Sequence, residues 1–229
     1  MGSTADMIAN TKLFKLSSQA TRAAILACSF QKQLRKGSHL FLDRSEGDGL
    51  YLLLEGVVSL YKINSLGEKK VVFAYGPGNL LNEEIVYGHP ESINCEVLED
   101  SKVLVIPKEQ FVKLLEGDSG LMMAFFDSMA LKIRRMYRQL KNTTNALNGE
   151  KRLAAKLYKL AKDYGVEKNG KIVIQMNLTI TYLAEMMGSK RETVSRQMKH
   201  LVEHGLIETE KNRITIPDPQ KLSDYFKAS

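Results

Sequence analysis

Residues 188–196 read Gly-Ser-Lys-Arg-Glu-Thr-Val-Ser-Arg, and the chain on either side of them decides the fold. Before them, Thr179 to Met187 has the spacing of a short amphipathic helix with Leu183, Ala184 and Met187 turned inward. After them, Ser189 to Glu203 continues as a second helix. Two helices joined by a tight glycine-containing turn make a helix-turn-helix, and Ala184 is the small side chain that a close crossing tolerates. Glu192, Ser195, Arg196 and Lys199 share one face by helical spacing. Arginine can give two parallel hydrogen bonds to guanine, glutamate can accept from cytosine, and serine can reach a base or a phosphate. A plainer reading exists for the same residues. Ser189-x-x-Glu192 is also a capping box, and Glu192 with Arg196 an ordinary i,i+4 pair. The candidate DNA contacts are Thr179, Lys190, Arg191, Glu192, Ser195, Arg196 and Lys199.

Working outward, Ile207 to Glu210 and Arg213 to Ile216, joined at Lys211-Asn212, read as a hairpin wing. Upstream, Asn169-Gly170 between β-prone flanks is a strong two-residue hairpin signal. Glu150 to Tyr164 is helical, with Leu153, Leu157, Leu160 and Tyr164 on one stripe. Further back, Met122, Phe126, Met129, Ile133, Met136, Leu140, Thr143 and Leu147 are spaced alternately four and three apart. That is the a/d seam of a coiled coil, and Asn148-Gly149 supplies its stop. The seam exceeds what one small barrel can cover, so a homodimer through Met122, Phe126, Met129, Ile133, Met136 and Leu140 is expected; the alternative is a long helix packed on its own domain.

From about Gly37 to Pro107 the pattern changes to short β-type runs: His39 to Leu42, Leu50 to Gly56, Val57 to Ile63, Lys69 to Tyr75 and Ser101 to Pro107. Gly47-Asp48-Gly49, Asn64 to Gly67 and Gly76 to Asn79 separate them, the rhythm of hairpin-linked antiparallel strands in a sandwich or barrel. Gly76 to Leu81 starts like a dinucleotide-binding turn but lacks the third glycine and a following helix, so that reading is rejected.

Charge divides the chain. Residues 1–120 are net −2, residues 121–148 net +4 and residues 149–229 net +5, so a polyanion would meet the back half. With 44% hydrophobic and 26% charged residues among 229, the composition excludes a disordered chain. No apolar run approaches the roughly 18 residues of a membrane span, and Met1 to Asn10 has neither part of a signal peptide, so a cytoplasmic location and no membrane partner are expected. Two cysteines, Cys28 and Cys95, are too few for a disulfide framework, a four-thiolate metal site or an iron–sulfur cluster. No Ser/His/Asp grouping, phosphate loop or His-Glu-x-x-His occurs, so an enzyme is not expected.

The string 188–196 closely resembles the recognition-helix signature of the Crp/Fnr superfamily of bacterial transcription regulators, and the order of segments agrees over nearly the whole chain. The resemblance implies an α+β protein: an antiparallel β jelly-roll barrel of the cyclic-nucleotide-binding type at 1–120, a dimerisation helix and hinge at 121–148, and a winged helix-turn-helix at 149–229. Carried over by position, Arg191, Glu192 and Arg196 match the base-contacting residues of the cyclic AMP branch, and Glu192, Ser195 and Arg196 those of the Fnr branch. A pseudo-palindromic double-stranded DNA site with half-sites about one helical turn apart is implied, with an RNA polymerase contact if the protein activates.

The effector is where the sequence departs. The superfamily's cassette has a Gly-Glu pair followed by an arginine that neutralises the cyclic phosphate; here the stretch reads Asn82-Glu83-Glu84, then Glu91-Ser92. A carboxylate beside a phosphate costs about 4 kcal/mol at 4 Å even at an effective dielectric of 20. Cyclic AMP is therefore not expected. Haem would have only His39, His89 or Cys95 to draw on. The effector is left unidentified, and its pocket is expected among Asn82, Glu83, Glu84, Glu91, Ser92 and Cys95, capped by Phe125 and Met129. Cys95 is either a redox site or a small buried hydrophobe. Two other readings stay open: a dimer that binds DNA constitutively with a vestigial pocket, and a cyclic-nucleotide-type module that binds no DNA.

Overall fold

The computed structural model describes residues 8, 11–144 and 149–228. Its elements run α1 (Gln19–Cys28), β1 (Phe30–Leu34), β2 (His39–Phe41), β3 (Gly49–Ile63), β4 (Lys69–Tyr75), a 3-10 turn (Glu83–Tyr87), β5 (Asn94–Pro107), α2 (Lys108–Gly117) and α3 (Ser119–Thr144). There follow α4 (Gly149–Tyr164), β6 (Gly165–Lys168), β7 (Lys171–Ile174), α5 (Ile180–Met187), α6 (Arg191–Glu203), β8 (Glu208–Glu210), β9 (Arg213–Ile216) and α7 (Pro219–Lys227). Compact units form from Met1–Lys62 with Val72–Gln139, and from Ile63–Val71 with Leu140–Ser229. Among the described residues no helix is long and apolar enough to cross a membrane.

In the first unit the strands make a jelly-roll-like sheet in the order β1-β5-β3-β4, with β2 also on β5. The sheet is not closed on itself, and its jelly-roll-like form agrees with the fold class expected. Its long strands are apolar on both faces because each face has a core to fill. Leu50, Leu52 and Leu54 of β3 and Leu104 and Ile106 of β5 join Ile25, Phe111, Leu121 and Phe125 of the helices. Their alternate neighbours, Leu53, Val103 and Val105, join Leu60, Tyr75, Leu81, Cys95 and Val97 on the opposite side. Period-two alternation thus divides two apolar sets rather than core from solvent.

The runs Leu50–Gly56 and Val57–Ile63, read as two strands, are one fifteen-residue strand. The ladder with β5 shifts register around Glu55 and Val57, and Gly56 at φ 88° takes the bulge. A Cβ there would lie 2.2 Å from Ser101 Oγ, so glycine is required twice over, by backbone sign and by space.

The second unit has a four-stranded antiparallel sheet, β6-β7-β9-β8. Both of its tight hairpins close through two consecutive left-handed residues, Asn169-Gly170 and Lys211-Asn212. Leu153, Leu157 and Leu160 of α4, Leu183 and Ala184 of α5, Val194 and Leu201 of α6, and Ile214 and Ile216 of β9 supply its buried core.

Candidate nucleic-acid interface and buried polar cluster

Helix α5 starts at Thr179, whose hydroxyl accepts from the Tyr182 N–H at 3.1 Å. Thr179 is thus occupied as a cap. The helix ends at Gly188, in the left-handed region at φ 59°, with its N–H turned back to Ala184 and Glu185 carbonyls. Met186 is buried on this helix, and Met187, expected to point inward, is only partly covered. The N-cap of α6 is Lys190, with no side-chain capping bond. This corrects the capping box: Ser189 gives its N–H to the Ala184 carbonyl and belongs to the turn, which leaves Glu192 in the first turn rather than at the N3 position that box requires.

Val194, Met198 and Leu201, at helical spacing, anchor α6 in the core. Another face carries Glu192, Ser195, Arg196 and Lys199, all exposed, and Arg191 in the first turn and Lys190 just ahead of it are exposed too. Lys199 lies 3.8 Å from Glu203 one turn on. Two contacts that periodicity could not show brace the helix pair from behind. Arg152 of α4 donates to the Met187 carbonyl at 3.3 Å. Glu150 of α4 accepts from Tyr225 of α7 at 3.0 Å, and His200 Nδ1 lies 2.8 Å from the same oxygen, Oε2. The mixed-sign face is therefore presented on a helix held through its apolar side, an arrangement suited to lying in a groove.

In the first unit, three polar residues of the expected pocket are wholly buried together: Asn82, Glu83 and Glu91. Asn82 uses its entire amide, donating to the Gly49 carbonyl at 3.1 Å and to Glu91 Oε1 at 2.7 Å while accepting from the Tyr51 N–H at 3.0 Å. Glu83, 2% exposed, accepts from Ser128 Oγ at 2.7 Å and from Lys132 Nζ, which also donates to the Leu81 carbonyl at 3.1 Å. The Lys132 ammonium stands 5.5 Å and the Arg135 guanidinium 5.8 Å from the centre of the Tyr75 ring. Glu84 and Ser92 pair at 2.9 Å on the exposed side.

Burial pushes the Glu91 carboxyl up to about 7, with Glu84 adding to the rise and Asn82 and Lys132 opposing it. Burial also raises the Cys95 thiol, and Glu91 adds to this, so Cys95 is held as a neutral thiol among apolar neighbours. His39 Nε2 is 2.9 Å from the Tyr61 hydroxyl. Among the described residues no group of three or more His, Cys, Asp or Glu side chains could hold a metal ion.

Helix α3 meets this cluster through Ser128 and Lys132, neither of which the sequence singles out. Phe125 is buried against Phe111, ring centres 5.7 Å apart, and Met129 leans on the same helical-side core. The part of α3 that carries the seam is exposed at Phe126 (56%), Ile133 and Met136, with Met123 and Tyr137 (67%) beside it, and Met122 is half-covered. The Leu140 and Thr143 side chains, with Leu147 and Asn148, lie outside the described ones.

Residues 31–118 match the cyclic nucleotide-binding domain family and residues 151–225 the Crp-like helix-turn-helix domain family. The chain is 28% identical over 182 residues to the anaerobic regulatory protein of Bacillus subtilis strain 168, covering 78% of this chain and 76% of that one. It is 26% identical over 204 residues to the global nitrogen regulator of Synechococcus elongatus, covering 85% and 89%. FixK2 from Bradyrhizobium japonicum has the same fold, with a TM-score of 0.74 at 18% identity over 86% of this chain and 96% of that one.

Proposed function

The chain belongs to the Crp/Fnr superfamily of transcription regulators, and from that premise we propose that it binds a pseudo-palindromic DNA site as a homodimer, gated by a small effector other than cyclic AMP. The observation that carries the reading is the division of α6: Val194, Met198 and Leu201 inward, Arg191, Glu192, Ser195, Arg196 and Lys199 outward. Arg196 and Glu192 are the base readers, Ser195 reads a base or a phosphate, and Lys190 and Lys199 neutralise phosphates. The exposed apolar stripe Phe126, Ile133 and Met136 supports pairing of two α3 helices.

Gating follows from Ser128 and Lys132, which tie that helix to Glu83 in the expected pocket. An effector that binds one arrangement of this contact better than the other shifts the dimer between DNA-binding and non-binding states, by a coupling of about 1–3 kcal/mol. The buried Glu91 carboxyl argues against a cyclic phosphate as that effector. Selection of bound duplexes from a random pool, followed by salt titration, tests the reading. A two-fold related sequence pair and a steep fall of affinity with salt are expected; duplex-indifferent protein would overturn it.

A further inference from the structure

Glu91 has one satisfied oxygen and one that nothing meets. The residue is 1% exposed, Oε1 accepts from Asn82, and Oε2 has no hydrogen-bond partner. The residue is nonetheless held firmly. Its N–H donates to the Ser45 carbonyl at 3.0 Å and its carbonyl accepts from the Arg44 N–H at 2.7 Å. Asn82 is fixed by Gly49 and Tyr51, and a Cβ at Gly47 would stand 3.0 Å from Glu91 Oε1, so the carboxyl has no slack on that side either. Lys132, the cation whose charge acts on it, is committed to Glu83 and the Leu81 carbonyl. A buried, pre-positioned carboxyl oxygen without a partner is the form of a binding group rather than of a structural one.

We propose that Glu91 Oε2 anchors the effector, and that the effector presents to it a cationic N–H donor, an amine or amidine, on a flat apolar body. The inference rests on reading this domain as the effector-binding one. The apolar body suits the neighbours: Tyr51, stacked on Phe41 at 5.7 Å, and Cys95 both feel the Glu91 charge, and both belong to the sheet's inner core. The charged groups that act on the carboxyl are Glu84 on the 3-10 turn and Lys132 on α3, and it acts in turn on Tyr51 of β3 and Cys95 of β5. Lys132 is already committed to Glu83, so the Glu91 charge is left for a positive guest. Because burial holds the Glu91 proton to about pH 7, binding a cation there expels that proton to solvent as the carboxylate forms.

Benzamidine and benzoate, alike in size and opposite in charge, make the test, titrated into the full chain by protein-observed NMR. Benzamidine is expected to shift signals of Tyr51 and Cys95, with an affinity that rises up to tenfold per pH unit below about 7 and then levels off. Glu91→Gln, isosteric and still able to accept from Asn82, is expected to weaken benzamidine at least tenfold, and benzoate is expected not to bind. Absence of benzamidine binding, equal binding of benzoate, or an unchanged affinity in the Gln variant would each overturn the proposal. Because the readout involves no DNA, a protein that failed to recognise duplex would sink the proposed function without touching this result.

Discussion

Lys132 of the long helix donates to the buried carboxylate of Glu83, forty-nine residues earlier in the chain, while Ser128 one turn before it holds the other oxygen. Both acceptor positions of a buried anion are thereby filled from a single helix face. Removing one partner of such a pair leaves an uncompensated buried charge, which costs about 3–5 kcal/mol. Lys132→Met is therefore expected to lower unfolding stability by about that amount, and Lys132→Met with Glu83→Gln to recover part of it, as read by denaturant unfolding of the single and double variants. Additive losses would show that the two side chains do not act together.

Glu91 makes stability depend on pH in the direction opposite to a paired carboxylate. Its folded value of about 7 lies above the value of about 4.3 expected in the unfolded chain. Below both values the group is protonated in either state and contributes nothing. As pH rises between them, the unfolded chain ionises while the folded one keeps its proton, so stability falls by up to about 4 kcal/mol and is flat above 7. Glu91→Gln lacks this slope. Unfolding free energies of the two proteins at pH 5 and pH 8 should diverge; parallel curves would refute the burial effect.

On DNA, Arg196→Ala should cost about 1–3 kcal/mol and relax preference at one base pair per half-site, whereas Lys199→Ala should weaken all sequences alike and reduce the salt slope by about one. Fluorescence anisotropy over a set of single-base operator variants separates the two. Uniform losses from both changes would remove the distinction between base reading and phosphate binding.

The stripe on α3 predicts assembly. Phe126→Asp or Ile133→Asp places a charge where two apolar helices should meet and forfeits about 1.5–3 kcal/mol of burial on each helix. Sedimentation equilibrium at micromolar concentration should find monomer in place of dimer. An unchanged oligomeric state would place the interface elsewhere.

What could be read in advance depended on whether the signal was local. Asn169-Gly170 and Lys211-Asn212 announce their hairpins because the left-handed backbone there needs only those residues. Gly188 marks the helix-helix turn for the same reason. Gly56 misled, since a glycine that ends a strand and one that lets a strand bulge against Ser101 look alike in a one-dimensional pattern. The Ser189 capping box failed because the Ser189 N–H goes to the Ala184 carbonyl, which moves the helix start one residue on. Met186 in place of Met187 is a one-position error in helix phase. Ser128 and Lys132 were invisible: their partner is distant in the chain, and alone they read as solvated residues between seam positions. Phe125, expected over the pocket, has an aromatic neighbour in Phe111 that only the fold brings near.

The α3 helix runs from Ser119 to Thr144 as one element, and Lys132, which grips Glu83, is followed immediately by Ile133 of the exposed stripe. No loop separates the residue that holds the buried Glu83 from the one that faces solvent. Consecutive helical positions are 1.5 Å apart along the axis and about a quarter-turn apart around it, too close to diverge independently. A chimera exchanging the first unit between relatives would thus have to carry Ser128 through Met136 as one cassette. A junction cut between Lys132 and Ile133 would join a foreign grip to a native stripe, uncoupling the buried Glu83 contact from the exposed apolar face.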